Sequence, residues 1–357
     1  MKGWMGKIRS LFVLSLLSVI LSGCGKENLT AFAPKGYGAE VSLDLIIWSF
    51  LIMLFVFIVV MVIFTIVLIR FRRKKGQEDF IPQQTEGSKA LEIIWTIIPI
   101  ILLVLIAVPT VAATFDLADE SDKGDALNIN VTGNQFWWHF NYEGHDIQTS
   151  TDVYIPVGEK VYLNMMSSDV IHSFWVPTIS GKMDTNPENE NTMYIEAHEE
   201  GIYEGKCAEY CGPSHSLMDF KIIAVSPEEF DQWVSDMQNV TADATPETAS
   251  AQEGQDLFEQ SCLSCHAIGS SPAAVGPNLT NFGDRTEIAG IIEDYTKEDL
   301  VDWIKAPEEF KPGNKMTETA PYLQEENPGL TDEEVSKIAD YLLQLKPSEV
   351  TPESALN

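Results

Sequence analysis

Two apolar runs limit what this chain can fold into more than any other feature. Leu45–Ile69 is 25 residues without a charged side chain, and Ile93–Phe115 is 23 more. A helix crossing the hydrocarbon core of a bilayer needs about 20 apolar residues, and a buried helix of a globular domain seldom stays charge-free that long. The two runs are expected to span a membrane as a hairpin. Pro99 and Pro109 fit this expectation, because neighbouring groups re-satisfy the carbonyls that proline frees inside a membrane helix. The connecting segment holds Arg70, Arg72, Arg73, Lys74 and Lys75, and a short basic loop stays on the cytoplasmic side. Both ends of the hairpin, and everything after Asp116, then face outward.

The N-terminus agrees with export. Residues 1–23 read as a signal peptide, with Lys2, Lys7 and Arg9 ahead of the apolar stretch Leu11–Leu21. The stretch ends Leu21-Ser22-Gly23-Cys24, which resembles a bacterial lipoprotein box with Cys24 as the lipidated mature N-terminus. An ordinary signal followed by a structural Cys is the plainer alternative. The segment 24–116 would then hold an anchored N-terminus and the hairpin. A formal net charge of -30 argues against nucleic acid as a partner, since phosphates would be repelled. The other cysteines, Cys207, Cys211, Cys262 and Cys265, fall in two local motifs, so no long-range disulfide framework is expected.

The outer region changes character twice. Residues 117–225 carry short β-branched and aromatic runs, such as Leu127–Val131, Lys160–Leu163 and Thr192–Ile195. Turn residues separate them, the pattern of an all-β sandwich or barrel. Residues 226–250 read as a short helix opened by Ser226-Pro227, then a linker from Thr241 to Ser250 with no large apolar residue. As a coil, that linker would have an r.m.s. reach of only ~15–20 Å. Residues 251–347 read as helical. Thr331-Asp332-Glu333-Glu334 is a capping box, and Val335, Ile338, Tyr341, Leu342 and Leu345 follow on one helix face. Residues 348–357 are left as a tail.

Two motifs carry chemistry. Cys207-Ala-Glu209-Tyr-Cys211-Gly-Pro-Ser-His215-Ser-Leu-Met218 places two thiols, an imidazole and a thioether within 12 residues, and His172 offers a second imidazole. Soft sulfur ligands with imidazole suit copper in an electron-transfer site. A Cys207–Cys211 disulfide, a zinc site using Cys207, Cys211, His215 and His172, and a single blue-copper centre are alternatives. Met218 speaks against zinc, and the second Cys against one copper. Cys262-Leu-Ser-Cys265-His266 is a C-x-x-C-H haem attachment motif, with two thioether bonds and His266 as proximal ligand. Lys311-Pro-Gly-Asn-Lys315-Met316 resembles the sixth-ligand loop of class I cytochromes c, which makes Met316 the second axial ligand. Gly276–Leu279 and Trp303 match positions that pack near the haem.

The copper residues resemble the dinuclear CuA signature of subunit II of haem–copper cytochrome c oxidases. The likeness covers about residues 40–225 and implies a cupredoxin-like Greek-key barrel. It also implies bridging thiolates from Cys207 and Cys211, with His172, His215, Met218 and the Glu209 carbonyl completing the CuA ligand set. By the same resemblance the Glu209 carboxylate binds Mg at the interface with subunit I, and Asp169 and Asp184 lie near that interface. Leu91-Glu92-Ile-Ile-Trp95 resembles the start of the family's second helix, where the Glu feeds a proton path. On position alone Glu92 reads as a helix-start acid at the membrane surface. Phe136 of Phe136-Trp137-Trp138 stands where the family commonly has the Trp that receives the electron, so the entry route, or mere packing of these rings, stays open.

With its C-terminal cytochrome c domain, the chain resembles subunit II of caa-type oxidases of Bacillus-like bacteria. The implied role is relay from an external donor, cytochrome c or another, through haem c and CuA to haem a of subunit I and on to O₂, coupled to proton pumping. A CuA subunit of a nitric oxide reductase and a zinc-stapled lipoprotein binding module are the alternatives. A quinol oxidase subunit is disfavoured by the complete set of copper ligands.

Overall fold

The computed structural model describes residues 2–21, 28–72, 76, 81, 86–240, 246–270, 275–324 and 329–356. Cys24, residues 73–75 of the basic loop and residues 241–245 of the linker lie outside the described residues. Helix α1 (Lys2–Leu21) holds the apolar run of the N-terminus. Helices α2 (Tyr37–Phe71) and α3 (Lys89–Leu117) contain the two apolar runs, with mean hydropathy of 3.5 and 2.8 in their most apolar windows. They run beyond the charge-free stretches because backbone hydrogen bonding continues where the apolar side chains stop. The Trp48 indole N–H donates to the Leu105 carbonyl at 3.1 Å and ties the two helices together. Glu92 sits in the first turn of α3. Most apolar side chains along both helices are exposed in this chain alone, a surface suited to lipid and partner subunits.

The N-terminal end of α2 is seated on the outer body. The Tyr37 and Ala39 N–H groups donate to the carbonyls of Glu196 (3.2 Å) and Ile179 (3.1 Å). The Tyr37 hydroxyl reaches the Asp116 carboxylate at 2.6 Å, joining the outer ends of the two spanning helices.

Ten strands build the middle of the chain: β1 (Leu127–Asn134), β2 (Trp137–Tyr142), β3 (Ile147–Ser150), β4 (Asp152–Pro156), β5 (Val161–Ser167), β6 (His172–Trp175), β7 (Lys182–Thr185), β8 (Asn191–Ile195), β9 (Gly201–Cys207) and β10 (Asp219–Val225). They form two five-stranded sheets, β3-β2-β1-β5-β8 and β4-β10-β9-β6-β7. β1 pairs parallel with β5, and β10 parallel with β4. In β9 alternate residues are buried, as expected of a strand with one face on a core. Trp138, Phe174 and Phe220 meet edge-on in that core with ring centroids 5.4 Å (Trp138–Phe220) and 5.7 Å (Trp138–Phe174) apart. Helix α4 (Pro227–Gln238) opens at Ser226 as expected, with Glu229 completing a capping box, and stacks Trp233 on Tyr154.

The segment read as a tail is part of this body. Val350 and Ala355 are buried in the sandwich core, and the Ser348 hydroxyl donates to Asp236 at 2.7 Å. Its alternation of small apolar and polar residues is too short to mark an element, so its sequence gave no sign of this.

The C-terminal domain consists of α5 (Ala249–Ser261), a small hairpin β11 (Glu287–Ile288) and β12 (Ile292–Glu293), then α6 (Lys297–Lys305), α7 (Pro307–Phe310), α8 (Lys315–Thr319) and α9 (Asp332–Leu343). The domain is helical as expected, with one small hairpin of two residues a side added. That hairpin is the piece that meets the sandwich. Lys221 of β10 and Glu287 of β11 form a buried ion pair at 2.8 Å, and the Thr286 N–H donates to Asp152 at 3.2 Å. Gly290, at φ +74°, lies so close that a Cβ there would stand 2.6 Å from the Asp219 carbonyl oxygen. Helix α5 starts at Ala249, capped by the Thr248 hydroxyl, so the last two residues assigned to the linker belong to the helix.

Helices α5 and α9 cross at Gly254, where a Cβ would fall 2.0 Å from the Lys337 carbonyl oxygen. Gly254→Ala must push the helices apart, an overpacking that costs about 1–3 kcal/mol. The variant is expected to lower the unfolding temperature of the C-terminal domain and spare that of the sandwich. Calorimetry on the full chain reads both.

Candidate metal centre and haem pocket

One end of the sandwich gathers the soft donors. Cys207 ends β9, His172 begins β6, and the pairing of Phe174 with Cys207 fixes these strands side by side. Between β9 and β10 the chain loops through Cys211, a one-turn helix at His215–Leu217, and Met218. The sulfurs of Cys207 and Cys211 are 3.9 Å apart. His172 Nδ1 lies 4.0 Å from Cys207 Sγ, and His215 Nδ1 3.6 Å from Cys211 Sγ. Met218 Sδ is 3.9 Å from Cys211 Sγ, and the Glu209 carbonyl oxygen is 3.3 Å from Cys207 Sγ. Both thiols are buried and unbridged. All six residues singled out in the sequence thus converge on one point.

The electrostatics of this cluster suit a cation. The hydrogen bond from Cys211 holds Cys207 well below the usual thiol range, against the opposing pull of burial. The same contact and burial push Cys211 up. Two buried sulfurs this close hold one negative charge between them, and a bound metal would allow both to ionise. The thioether beside them favours copper over zinc.

The haem motif residues line a cavity of roughly 1300 Å³, counting its open mouth. Cys262, Cys265, His266 and Met316 face it together with Trp303 and Tyr322. His266 Nδ1 is 2.9 Å from the Pro277 carbonyl, which leaves Nε2 free for iron, and burial lowers the imidazole pKa toward the neutral, ligating form. Arg285 is buried at the same cavity, and its Nε has no partner among the described residues. An anionic edge of a haem would supply one.

The sandwich supplies the cavity's remaining wall with Gln135, Phe136 and Trp137. Phe136 is 2% exposed and lies between the two loops. A Cβ at Gly212 would be 3.0 Å from Phe136 Cζ, and one at Gly313 would be 3.7 Å from Phe136 Cε2. Trp138 is a core residue, with its indole 3.4 Å from the Met218 carbonyl and 5.9 Å from the His172 ring. Three further contacts clamp the axial loop to the sandwich. Lys311 Nζ donates to the carbonyls of Phe136 (2.8 Å) and Ala289 (2.7 Å). The Ser214 hydroxyl donates to Pro312 O at 2.7 Å, and Lys315 Nζ lies 3.2 Å from Asp169. Burial pulls the Lys311 pKa down to about 8 although Asp219 and Glu287 lie nearby.

Sequence reasoning missed Gln135 and the Lys221–Glu287 pair, and it placed Lys311 and Lys315 in the haem loop without seeing that they reach the sandwich. The Glu209 side chain is exposed, and among the described residues no cluster of three ligating side chains includes it. Asp184 pairs with Ser173 across β6 and β7 and is half-exposed.

Comparison with known proteins agrees with this geometry. Residues 41–113 match the transmembrane domain of cytochrome c oxidase subunit II, residues 145–225 its periplasmic domain, and residues 251–346 the cytochrome c family. Cytochrome c oxidase subunit 2 of Alkalihalophilus pseudofirmus is 47% identical over 353 residues, covering 97% of this chain and 99% of the relative. The subunit 2 proteins of Bacillus sp. (strain PS3) and Bacillus subtilis are 45% and 44% identical, each over 95% of this chain and over 97% and 98% of the relatives. The chain therefore belongs to the cytochrome c oxidase subunit II family, in the form that carries a cytochrome c domain behind its copper-site domain.

Proposed function

We propose that this chain is the electron-input subunit of a membrane cytochrome c oxidase, passing electrons from an external donor through haem c and CuA to haem a of subunit I, where O₂ is reduced. The observation that carries this reading is the shared wall: Phe136 leaves no room for a side chain at Gly212 of the copper loop, lines the haem cavity, and accepts a hydrogen bond from Lys311 of the haem loop through its carbonyl. When loaded, the two centres supply reversible one-electron chemistry. The chain's own residues hold them and exclude water. Cys207, Cys211, His172, His215, Met218 and the Glu209 carbonyl would hold the two coppers, with both thiolates shared between them. Cys262 and Cys265 would attach the haem, and His266 and Met316 would ligate its iron. Because Phe136 is buried, a soluble donor has no direct access to it, and entry runs through the haem domain.

Further assignments complete the reading. Cys24 is lipidated after signal cleavage, and the copper and haem domains face the outside of the cell. Glu92, at the opposite end of α3, serves proton entry in concert with subunit I. The Glu209 carboxylate binds Mg with ligands that subunit I must contribute.

Cys207→Ser and Cys211→Ser should each abolish the two-copper centre and spare the covalent haem. Metal analysis and the near-infrared copper band test this, and two coppers with an unchanged band in either variant refute the bridging roles. Met316→Ala should leave the haem attached and lower its potential, since His–Met ligation favours the ferrous state. A redox titration superimposable on that of the unaltered chain would remove Met316 from the iron.

A further inference from the structure

Asp169 touches both halves of the relay. Its Oδ1 is 2.8 Å from His172 Nε2, on the far side of the imidazole from the Nδ1 that faces Cys207. Its Oδ2 accepts the Gln135 backbone N–H at 2.8 Å and pairs with Lys315 Nζ at 3.2 Å. The Val170 N–H also donates to Oδ1, at 2.7 Å. Lys315 is the residue before Met316, at the start of α8. The Gln135 side chain donates to the Cys211 carbonyl at 2.5 Å, so the same corner also holds the second thiol's backbone. Asp169 is only 12% exposed, so its charge is poorly screened by water and is felt by its immediate partners.

A partner on the outer nitrogen of a ligating imidazole fixes the ring's orientation and sets its basicity. A carboxylate that shares its charge with an ammonium is a weaker acceptor than one that does not. We propose that Asp169 is a positioning residue whose hold on His172 is set by Lys315, so that the seating of the haem loop tunes the copper centre. The proposal rests on the copper reading above and goes beyond it. Loss of the ammonium strengthens the Asp169–His172 hydrogen bond, makes the imidazole a better donor at Nδ1, and favours the oxidised centre. Coupling of this kind is reciprocal: the oxidation state of the copper centre must in turn bias how firmly the haem loop is seated.

The test is a double-mutant cycle on the full chain in its native complex: Lys315→Gln, Asp169→Asn and the pair together, with Lys337→Gln as a charge control on α9, where Lys337 pairs with Glu253 and Glu333. Copper and haem content, the copper hyperfine pattern in electron paramagnetic resonance, and the copper redox titration are read for each. Lys315→Gln should keep both cofactors, alter the hyperfine pattern and lower the copper potential. That shift should vanish in the Asp169→Asn background, and Lys337→Gln should show none. An equal shift with and without Asp169 means a plain field effect of the ammonium and overturns the proposal, as does a copper-loaded Lys315→Gln chain with no shift. If Asp169→Asn fails to load copper, the His172 Nε2 proton resonance in the copper-free chain decides instead. It should move with Lys315→Gln, and an unmoved resonance overturns the coupling. An unaltered chain with no copper band at all refutes the copper reading itself, a result distinct from either.

Discussion

The arrangement of the outer body depends on one cation that has been taken out of water. Lys311 is almost completely buried, and among the described residues its ammonium donates to two carbonyls, one from the sandwich and one from the hairpin of the haem domain. An ammonium without such partners in a low-dielectric site carries a large penalty, so the loop bearing it either sits here or leaves the interface altogether. The second buried charge pair, Lys221 with Glu287, applies the same constraint a few residues away. Together they turn two covalently linked domains into a docked pair, and the docking seals Phe136 between two redox loops. Diffusion of the haem domain about its linker, the picture a composition of Ala, Thr, Asp and Glu suggests, is replaced by a fixed contact.

What could be read from the sequence was whatever is encoded in contiguous spacing. The two spans, the Cys207–Met218 loop, the Cys262–His266 motif, the helix start at Ser226 and the capping box at Thr331 each need fewer than 30 consecutive residues, and each reappears as a local structure. His172 stood only as an available second imidazole until the resemblance gave it a role, because nothing local ties it to Cys207; the strand pairing of β6 with β9 does. The docking surface is of a different kind. Asp169 and Lys315 are 146 positions apart, and Lys221 and Glu287 belong to elements whose periodicity says nothing about each other. A lysine destined for a dry interface carries the same letter as one on a wet surface, so only the assembled fold tells them apart. The hairpin β11–β12 is two residues a side, below the length at which alternation can be seen.

The pair of thiols shows how a fold prepares a site without its occupant. The sandwich places two sulfurs at 3.9 Å, with imidazoles on either side, and shields them from water. Without a metal that geometry holds one proton too many for two thiolates. The favourable term that offsets burying these groups comes from the metal, and so metal loading and the stability of this end of the sandwich are expected to be linked.

The seat of α2 on the outer body has a geometric consequence. The helix passes without a break from its hydrogen bonds at Glu196 and Ile179 down into the apolar run, so there is no joint between anchor and cargo. At 1.5 Å per residue its 35 residues make a post about 52 Å long, of which a bilayer core takes about 30 Å. The register of this helix therefore helps to set the height and compass bearing of the copper end above the membrane. One residue inserted between the seat and the lipid would raise the whole outer body by about 1.5 Å and swing it through about 100°. The delivery face would turn away from any neighbour built to receive it, with every ligand still in place.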